Sequence, residues 1–534
     1  ACATDALAAM LEPGGVFSEL FPGYEHRRQQ VEMLQAVAAA FNEGHHLMAE
    51  AGTGTGKSLA YLLPAISHAA STGERVVIST NTINLQDQLF RKDLPDLSRA
   101  LSRAWGEETP FRATLLKGRS NYLCMKRFEA LRKAGPSTAD EMRGLARILV
   151  WLLTTQTGDA SELSLARPAD HTVWAGLSAN TDGCSLEQCG RERQGRCFFY
   201  RVRKEAEASH IIVVNHALLM ADAKTGHRVL PEYHRLIVDE AHHLETAVTD
   251  QLSFRVDGAA LAALFNGLYF RRGDETRGGG AGRGNPAPTM SDSVGAGFPR
   301  PGPTHARSGL LGDLDAALRA ALHPMRYPPI HQQIVHLQAE VEAARHQLEN
   351  FWQVIEEFAR DAVPRDQRDE YELKYRITSA VRAQPVWVDV EVGWDNLSVT
   401  WNGLNAHLVA LLDELEARAP APDAETGSEV DRLGGETLGA VSKLVETYDA
   451  LEQWVMRPQE NQVYWIEAPR ERGGPGNRGL SLRMAPVHIG ELVQQNVLWK
   501  NETVILTSAT LRTGGTFDYV RDRLAAEDAD CAFV

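Results

Sequence analysis

The fold of this chain is decided by the stretch Ala51-Gly52-Thr53-Gly54-Thr55-Gly56-Lys57-Ser58. A short apolar run, 47–49, precedes it, and an apolar helical pattern from Leu59 to Ile66 follows it. A strand, a glycine-rich loop and a helix in this order form the context of a Walker A phosphate-binding loop. Backbone amides of such a loop and the positive end of its helix bind nucleotide phosphates. We therefore predict that the chain binds a nucleoside triphosphate.

The chemistry of phosphoryl transfer assigns roles within this loop. Lys57 is expected to contact the β- and γ-phosphates of ATP, and Ser58 to hold Mg²⁺. The other loop residues expected to bind ATP are Gly52, Thr53, Gly54, Thr55 and Gly56. Ala51 stands where the consensus has its first glycine, a departure often seen in helicases.

An acidic pair supplies the second half of the predicted nucleotide site. Asp239 and Glu240 follow the apolar run 236–238 and open the sequence Asp-Glu-Ala-His. In open α/β sheets, ligands bind at the carboxyl ends of the strands. ATP hydrolysis needs one carboxylate for the metal and another group that orients the attacking water. We expect Asp239 to hold Mg²⁺, usually through a water molecule, and Glu240 to act as the base.

A hydroxyl-bearing segment, Thr507-Ser508-Ala509-Thr510, follows the apolar run 504–506. Hydroxyl groups there could hydrogen-bond to the acidic motif and transmit the state of the γ-phosphate. Ser508, Thr510 and His242 are therefore the candidate coupling residues.

The apolar runs of the chain predict an α/β fold. Runs of strand type at 75–80, 211–214, 236–238 and 504–506 alternate with helical patterns, including one over 24–45. Short apolar strands that alternate with helices indicate a parallel sheet buried on both faces. The helix after the run 75–80 is expected to begin with Asn81 or Thr82 as its N-cap.

Two long insertions interrupt this pattern. The second begins with 271–309, where ten Gly and five Pro in 39 residues predict a flexible loop. Apolar seams from Ile334 to Phe358 and from Val441 to Val455 predict two long helices that pack together. Alternating apolar residues over 386–401, with a turn at 394–396, predict a β-hairpin between them.

Composition limits the class of protein. The chain has 534 residues, 43% of them hydrophobic, and no apolar run long enough to span a membrane. Its start does not resemble a signal peptide, and six cysteines in a chain of this length do not form a secreted disulfide scaffold. We therefore expect a cytoplasmic protein that acts as a monomer.

The charge distribution is compatible with a nucleic-acid partner. The net charge is −15, but 91–133 carries eleven Lys/Arg against five Asp/Glu, and 191–204 carries six against one. Two basic stretches in an acidic chain predict a groove for a phosphate backbone. The alternative is a pair of solvated helix faces.

Four cysteines form a candidate metal site. Cys124 is followed by Cys184, Cys189 and Cys197, the last three within 14 residues that are rich in Arg and Gly. A shared metal explains this grouping better than core packing does. Four thiolates suit zinc or an iron–sulfur cluster. The absence of a C-x₂-C pair favours the cluster without excluding zinc.

Taken together, these motifs resemble those of superfamily 2 helicases. The Walker A loop, the segment containing Gln86, the Asp-Glu-Ala-His motif and Ser508-Ala509-Thr510 look like motifs I, Ia, II and III. Four cysteines between motifs Ia and II, preceded by Gly118-Arg-Ser-Asn-Tyr-Leu-Cys124, resemble the 4Fe-4S domain of DinG- and XPD-type helicases, closer to the bacterial DinG branch. By this resemblance Arg27 and Gln30 contact the adenine, and the helical insertion forms the family's arch.

The resemblance also implies the substrate. Family members translocate 5′→3′ on single-stranded DNA, with the cluster domain and the arch forming a pore, so forked or single-stranded DNA is the expected partner. Basic residues near the cysteines would contact phosphates while aromatic residues stack on bases. The candidates are Arg119, Tyr122, Lys126, Arg127, Arg191, Arg196 and Phe198. His216 is a further candidate, although a structural role is more frequent for such a histidine than contact with DNA.

The predicted domain boundaries follow from the motifs. Residues 1–104 begin a RecA-like motor domain, 105–208 form the cluster domain, 209–245 carry the acidic motif, 246–495 form the arch, and 496–534 carry motif III. The chain ends 24 residues after Thr510. We therefore expect a fragment without the second motor domain and its arginine fingers, which alone binds ATP weakly and unwinds nothing.

The leading hypothesis is an ATP-dependent DNA helicase that works in DNA repair or replication. One alternative is a cluster-bearing nucleic-acid-binding module that has lost catalysis, although Lys57, Asp239 and Glu240 are all present. The other is an RNA-directed or nuclease-associated relative.

Overall fold

The computed structural model describes residues 2–533 apart from 53, 107–110, 137, 180–195, 271–308, 363–371, 418–424 and 470–478. These residues form two compact units. The first unit consists of Ala1–Gly118, Tyr200–Leu252 and His488–Val534, and the second of Arg119–Phe199 and Ser253–Val487. The glycine- and proline-rich segment predicted to be flexible lies almost entirely outside the described residues.

Eleven strands occur in the described part of the chain. In chain order they are β1 (Leu47–Glu50), β2 (Val76–Thr80), β3 (Ala113–Leu115), β4 (Ile211–Asn215), β5 (Arg235–Asp239), β6 (Phe254–Asp257), β7 (Glu372–Arg376), β8 (Gln462–Pro469), β9 (Ser481–Pro486), β10 (Thr503–Ser508) and β11 (Asp530–Phe533). Seven of them form a parallel sheet in the order β11-β1-β10-β5-β2-β4-β3. The other four form an antiparallel sheet in the order β6-β9-β8-β7.

Helices accompany the parallel sheet in the first unit. They are Thr4–Leu11, Val16–Leu20, Arg28–Glu43, Lys57–Thr72, Ile83–Gln88, Leu94–Trp105, His216–Lys224, Leu244–Leu252, Gly490–Val493 and Asp518–Leu524, with π-helical turns at Leu89–Asp93 and Gln494–Leu498 and a 3₁₀ turn at Ala241–His243. The helix predicted over 24–45 begins only at Arg28. Thr82 is the N-cap of the helix after β2, because its side chain accepts a hydrogen bond from the Leu85 amide at 3.3 Å.

Both faces of the parallel sheet are buried. Alternate residues of one strand enter different cores: Val76 and Ile78 pack with the helices 28–43 and 57–72, whereas Val77 packs on the opposite face with residues of the helix 216–224. Strands buried on both sides read as continuous apolar runs because neither set of side chains meets water. The predicted α/β fold with a parallel sheet is confirmed.

The second unit is mainly helical. Its helices are Met125–Ala134, Ala139–Trp151, Pro168–Leu177, Gly258–Leu268, Leu310–Ala321, Tyr327–Ala362, Ser379–Arg382, Trp387–Ala417 and Glu425–Val455, with 3₁₀ turns at Arg119–Asn121 and Ala160–Glu162, and Phe198–Glu207 crosses the boundary with the first unit. We call Tyr327–Ala362, Trp387–Ala417 and Glu425–Val455 the first, second and third long helices. None of the helices that the structure describes is long and apolar enough to cross a bilayer.

The predicted β-hairpin over 386–401 is wrong, because residues 387–401 belong to the second long helix. Its core-facing residues are Trp387, Val390, Trp394, Leu397, Trp401, Leu404, Leu408 and Leu411, which follow a spacing of three and four. The alternating valines that suggested a strand are split between the two sides of this helix: Val390 is buried, whereas Val388 and Val392 are exposed. Burial of the tryptophans therefore outweighs the β propensity of the valines and favours a helix.

The predicted direct packing of the first and third long helices also needs correction. The second long helix packs extensively against both of them and shares their hydrophobic core. Trp394 of this helix contacts Phe351 on one side and Tyr448 on the other, with ring centroids 5.7 and 5.3 Å apart. The helix that was mistaken for a hairpin is thus the centre of the bundle.

Candidate functional site

The order of strands brings the predicted nucleotide motifs to one edge of the parallel sheet. β10 lies between β1 and β5, so the loop after β1, the acidic pair after β5 and the hydroxyl segment after β10 are adjacent. The amide of Ala51 donates to the carbonyl of Ser508 at 3.1 Å, which joins the first and last of these segments. Parallel strands place their carboxyl ends together, and this shared edge is where ligands of α/β sheets bind.

The glycine loop has the backbone that a phosphate cradle requires. Gly54 and Gly56 have φ values of 83° and 81°, a region that favours glycine. At Gly56 a Cβ atom would lie 2.0 Å from Nε2 of Gln30, so a side chain there is also sterically excluded. Lys57 and Ser58 begin the helix that follows, and the N-terminus of this helix points at the loop.

Arg27 and Gln30, the predicted adenine contacts, lie against the same loop. The amide of Gln30 donates from Nε2 to the carbonyl of Gly56 at 3.0 Å and accepts at Oε1 from the Tyr24 hydroxyl at 3.1 Å. The Arg27 guanidinium donates to the carbonyl of Gly54. Both residues therefore support the loop, and their contact with adenine stays a prediction.

Lys57 and the acidic pair are close together. Nζ of Lys57 lies 3.6 Å from Oε1 of Glu240. Glu240 adopts a left-handed backbone with φ 53°, which is unfavourable for a residue other than glycine and is found mostly where function requires it. This conformation turns the chain directly after β5, so that Asp239 and Glu240 both remain at the edge of the sheet. The lysine that is expected to bind phosphate therefore forms an ion pair with the predicted base.

Asp239 is buried and its charge is unfavourable. Its Oδ2 accepts a hydrogen bond from the Tyr61 hydroxyl at 3.1 Å, and its Oδ1 accepts from the Glu240 amide at 3.0 Å. Burial and the nearby Glu240 carboxylate raise the pKa of Asp239 to about 6, although Lys57 opposes the shift. A carboxylate that is costly to ionise gains most when a cation binds beside it.

Ser508 links the acidic motif to the end of β10. Its Oγ lies 2.6 Å from Nδ1 of His242 and donates to Oε2 of Glu240 at 3.4 Å. The amide of Thr510 donates to the same Oγ at 3.3 Å. Burial, the neighbouring His243 and Lys57 lower the pKa of His242, which favours its neutral form. The structure therefore brings all three predicted coupling residues into one network with the predicted base.

Sequence reasoning missed two groups that support this site. Tyr61 donates a hydrogen bond to Asp239, and Asp93, whose pKa is raised by burial, lies close to Ser58 and Tyr61. Tyr61 could have been found, because it lies one helical turn after Lys57 on the same helix. Asp93 ends a π-helical turn, a feature that is frequent at functional sites but has no simple sequence signal.

Glu50 was also missed, although it directly precedes the glycine loop. Its carboxylate accepts hydrogen bonds from the amides of Leu511 and Arg512, at 2.6 and 2.5 Å, and pairs with the Arg512 guanidinium at 3.1 Å. Burial would raise the pKa of Glu50, but these hydrogen bonds and the charge of Arg512 outweigh it and lower the pKa. Glu50 thus ties the segment after β10 to the start of the phosphate loop.

In the second unit, Cys124 lies beside the segment 177–179. It is the N-cap of the helix 125–134, and its amide donates to the carbonyl of Leu177 at 2.9 Å. The amide of Ala179 in turn donates to the carbonyl of Tyr122 at 2.8 Å. Ala179 is the last described residue before 180–195, so the chain enters that segment beside Cys124.

Residues that follow 180–195 also lie near Tyr122. Phe199 packs against Tyr122 with ring centroids 5.9 Å apart, and the Arg119 guanidinium lies 5.0 Å from the centroid of the Phe199 ring. Cys124 and Cys197 are both half-buried, whereas Cys184, Cys189 and Arg191 lie outside the described residues. Residues on both sides of the segment that carries the two middle cysteines therefore contact Tyr122, two residues before Cys124.

Three of the predicted DNA contacts are buried. Tyr122 and Phe198 are 2% and 8% exposed, so their rings pack in the core and are not available to stack on bases in this structure. His216 is fully buried, and its Nδ1 lies 2.7 Å from the Ser79 hydroxyl. Burial lowers the pKa of His216 to about 4, which keeps it neutral. For Tyr122 and Phe198 this packing argues against stacking on bases, and for His216 it agrees with a structural role.

The basic candidates remain on or near the surface. Arg196 is exposed, and Arg119, Lys126 and Arg127 are half-buried. In the first unit, however, parts of the basic stretch 91–133 are used internally: Lys117 is buried and pairs with Asp87 at 3.4 Å. Sequence charge alone therefore overstates the basic surface.

Comparison with known proteins finds helicase relatives of this chain. A family model described as DEAD/DEAH box helicase matches residues 28–103, and one described as DEAD_2 matches residues 175–261. The 3'-5' exonuclease DinG of Bacillus subtilis (strain 168) is 27% identical over 512 residues, which cover 96% of this chain and 48% of that protein. The ATP-dependent helicase DinG of Mycobacterium tuberculosis (strain ATCC 25618 / H37Rv) is 39% identical over 256 residues, 45% of this chain and 37% of that protein.

The chain is similar to superfamily 2 helicases of the DinG type. The ATP-dependent DNA helicase YoaA of Escherichia coli (strain K12) is a further relative, 37% identical over 238 residues, which cover 43% of this chain and 35% of that protein. The DinG-like chain spans about half the length of the first of these curated relatives, and little more than a third of the other two.

The donor groups of this DinG-like site fit Mg²⁺. Magnesium prefers oxygen ligands, binds few protein groups and keeps several waters. The Asp239 carboxylate accepts a hydrogen bond from the Tyr61 hydroxyl, and Ser58 lies three residues before Tyr61 on the same helix. Residues three apart share a helix face, so both predicted ligands lie near Tyr61. An Asp239 that is costly to ionise when alone is suited to a site completed by a divalent cation.

The raised pKa of Asp239 predicts how metal-dependent ATP binding by the DinG-like chain responds to pH. Because the folded chain holds this proton more tightly than the unfolded chain, the protonated carboxyl favours folding below about pH 4, and this contribution is lost as the pH rises through about 6. Mg²⁺ requires the ionised form. We expect affinity for ATP in the presence of Mg²⁺ to rise about tenfold between pH 5 and pH 7 and then to level off.

Equilibrium binding of a fluorescent ATP analogue at several pH values measures this response. The γ-phosphate itself titrates in the same range, so the Asp239→Asn variant serves as the reference. We expect the variant to bind more weakly and to show a shallower pH dependence. An equal dependence in both proteins would show that Asp239 does not titrate in the site.

Proposed function

We propose that this chain is the nucleotide-binding motor domain of an ATP-dependent DNA helicase that translocates 5′→3′ on single-stranded DNA in DNA repair or replication. The observation that carries the proposal is the contact of Lys57 with Glu240 at 3.6 Å, beside the buried Asp239. A phosphate-binding lysine, a metal-binding carboxylate and a candidate base meet at the edge where α/β proteins bind nucleotides. The names of the DinG and YoaA relatives support the same activity.

The roles within the ATP site follow from its chemistry. Lys57 and the amides of the glycine loop bind the β- and γ-phosphates, while Ser58 and Asp239 hold Mg²⁺, which neutralises phosphate charge when bound. Glu240 accepts a proton from the attacking water. ATP in the loop draws Lys57 toward phosphate, and this frees the Glu240 carboxylate from its ion pair to act as the base.

The Ser508 network offers a route from hydrolysis to movement. Ser508 Oγ contacts both Glu240 and His242, and Glu50 ties the following residues to the start of the glycine loop. A change at the γ-phosphate that moves Glu240 must therefore rearrange the hydrogen bonds of Ser508. We propose that this rearrangement couples ATP hydrolysis to strand separation.

A 4Fe-4S cluster held by Cys124, Cys184, Cys189 and Cys197 completes the proposal. The thiolate donor set suits a cluster. Residues on both sides of the segment with the two middle cysteines contact Tyr122, two residues before Cys124, which supports a shared site. When bound, the cluster supplies a rigid cross-link for a segment that has no apolar core of its own. Arg119, Lys126, Arg127 and Arg196 flank this region and are proposed to contact DNA phosphates, together with Arg191.

An RNA-directed or nuclease-associated protein is the alternative. The Bacillus subtilis relative is named as an exonuclease, and that name applies to the relative alone. Metal-dependent nucleases use several carboxylates to hold two ions. Among the residues described here, the one group of three or more candidate metal ligands is His336, Glu340 and His407, which has a single carboxylate. We therefore favour the helicase.

Unwinding of short duplexes with a single-stranded tail tests the proposed function. The full-length protein is expected to separate a duplex with a 5′ tail in the presence of Mg²⁺ and ATP, and to leave a duplex with a 3′ tail intact. An RNA tail of the same sequence tests the choice of nucleic acid. Preference for the 3′ tail would contradict the direction, and strand degradation without ATP would support a nuclease instead.

A further inference from the structure

A cluster of three potential metal ligands lies in the second unit, away from the cysteines in sequence. His336 and Glu340 are one turn apart on the first long helix, and His407 is on the second long helix. The ligand atoms of all three side chains lie within 4.8 Å of one another. Nothing in the ATP or cluster sites uses these residues.

The distances fit a tetrahedral metal site. Nε2 of His336 is 3.3 Å from Oε1 of Glu340, and Nδ1 of His407 is 2.7 Å from the same oxygen. Two ligands of a tetrahedral Zn²⁺ ion, each about 2.1 Å from the metal, are about 3.4 Å apart. The first pair already has this separation, and a small rotation of the exposed His407 side chain gives it to the second pair.

The carboxylate also has an unused acceptor. Glu340 is mostly buried at the edge of the helix seam, and its Oε2 has no hydrogen-bond partner among the residues that the structure describes. A buried carboxylate oxygen without a partner costs free energy. A cation held by both oxygens of the Glu340 carboxylate would satisfy it.

The helix pair holds these residues in register. Phe358 packs against Trp387, and Phe351 against Trp394, with ring centroids 5.3 and 5.7 Å apart. The antiparallel pairing continues along both helices and brings His407 opposite Glu340. Rigid helices that are fixed by aromatic packing place ligands more accurately than loops do.

We propose that His336, Glu340 and His407 bind one divalent transition-metal ion of the zinc type, which cross-links the first and second long helices. Two imidazole nitrogens and one carboxylate oxygen suit Zn²⁺ or Co²⁺ and not Mg²⁺ or Ca²⁺, which prefer oxygen ligands only. Three protein ligands leave one position for water. The ion stabilises the long-helix bundle, because it binds the paired helices and not the unfolded chain.

Metal titration of the full chain tests this site. Zn²⁺ is added to protein whose cysteine site is already filled, and binding is followed by calorimetry in wild type and in the double variant His336→Gln, His407→Gln. We expect wild type to bind one more Zn²⁺ than the double variant, and Glu340→Gln to bind it at least ~10-fold more weakly. Co²⁺ at this site should show visible bands without the intense ultraviolet thiolate absorption of a cysteine site.

His346→Gln is the matched control, because it removes another histidine from the first long helix, where His346 contacts Asn350 and no residue of the cluster. It should bind Zn²⁺ like wild type. His336 and His407 are 64% and 52% exposed, so their replacement should leave the helical circular dichroism unchanged. Equal stoichiometry and affinity in wild type and the folded double variant would overturn the proposal.

Discussion

ATP hydrolysis is expected to fall by about 10²–10³-fold or more when Lys57 is replaced by alanine, the range found when one preorganised donor to the developing charge is removed. Lys57 is the side-chain cation beside the predicted base, 3.6 Å from Glu240, and no backbone amide can replace its charge. Release of phosphate by the full-length protein under saturating ATP and single-stranded DNA measures the effect. DNA binding should persist, because the proposed DNA contacts are other basic residues.

Lys500→Ala is the control for this substitution. Lys500 is an exposed lysine of the same unit in the segment before β10, so its loss changes the net charge equally without touching the nucleotide motifs. We expect wild-type turnover in this variant. If Lys57→Ala retained more than about a tenth of the wild-type rate, the Walker A assignment would be wrong.

Loss of one cysteine ligand is expected to remove the cluster entirely. Replacement of Cys124 or Cys189 by serine leaves three thiolates, and the metal content should fall from about four iron atoms per chain to nearly none. Because the proposed cluster would cross-link the segment that carries its cysteines, the full-length variant should also be cleaved more readily by proteases and fail to unwind DNA. Iron and sulfide analysis after anaerobic purification, together with the visible spectrum, measures the loss.

Cys531→Ser separates a ligand effect from a general thiol effect. Cys531 is exposed on β11 in the first unit and belongs to no cysteine group. Its replacement should leave the iron content and spectrum unchanged. Zinc in place of iron in the wild-type protein, or an unchanged spectrum in Cys124→Ser, would contradict the proposed cluster while leaving the ATP site intact.

The sequence predicted the motor sheet well because its signals are local. Continuous apolar runs marked the strands β1, β2, β4, β5 and β10, and each nucleotide motif directly follows one of them. A parallel sheet places the ends of its strands on one edge, so motifs that are far apart in the chain were expected to meet. The contact between Lys57 and Glu240 bears out this reasoning for the geometry.

The same reasoning failed for the second long helix. Residues such as Val386, Val388 and Val392 have high β propensity and alternate in sequence, yet the tryptophans at 387, 394 and 401 recur every seven residues. A helix that buries all three gains more than a strand that buries alternate valines, because the large rings fill the centre of the bundle. Propensity is a weak guide when tertiary burial opposes it.

By itself, the amino-acid sequence determined the parallel α/β class and which side chains carry the predicted chemistry of the nucleotide site. Strand–loop–helix order and motif spacing are properties of short stretches of sequence, so they can be recognised without the fold. Only the tertiary structure decided which groups support those side chains. Tyr61 on Asp239, Ser508 on Glu240 and Glu50 on Arg512 are contacts between distant segments. Such contacts depend on how strands are ordered and helices are packed, and no local pattern encodes that order.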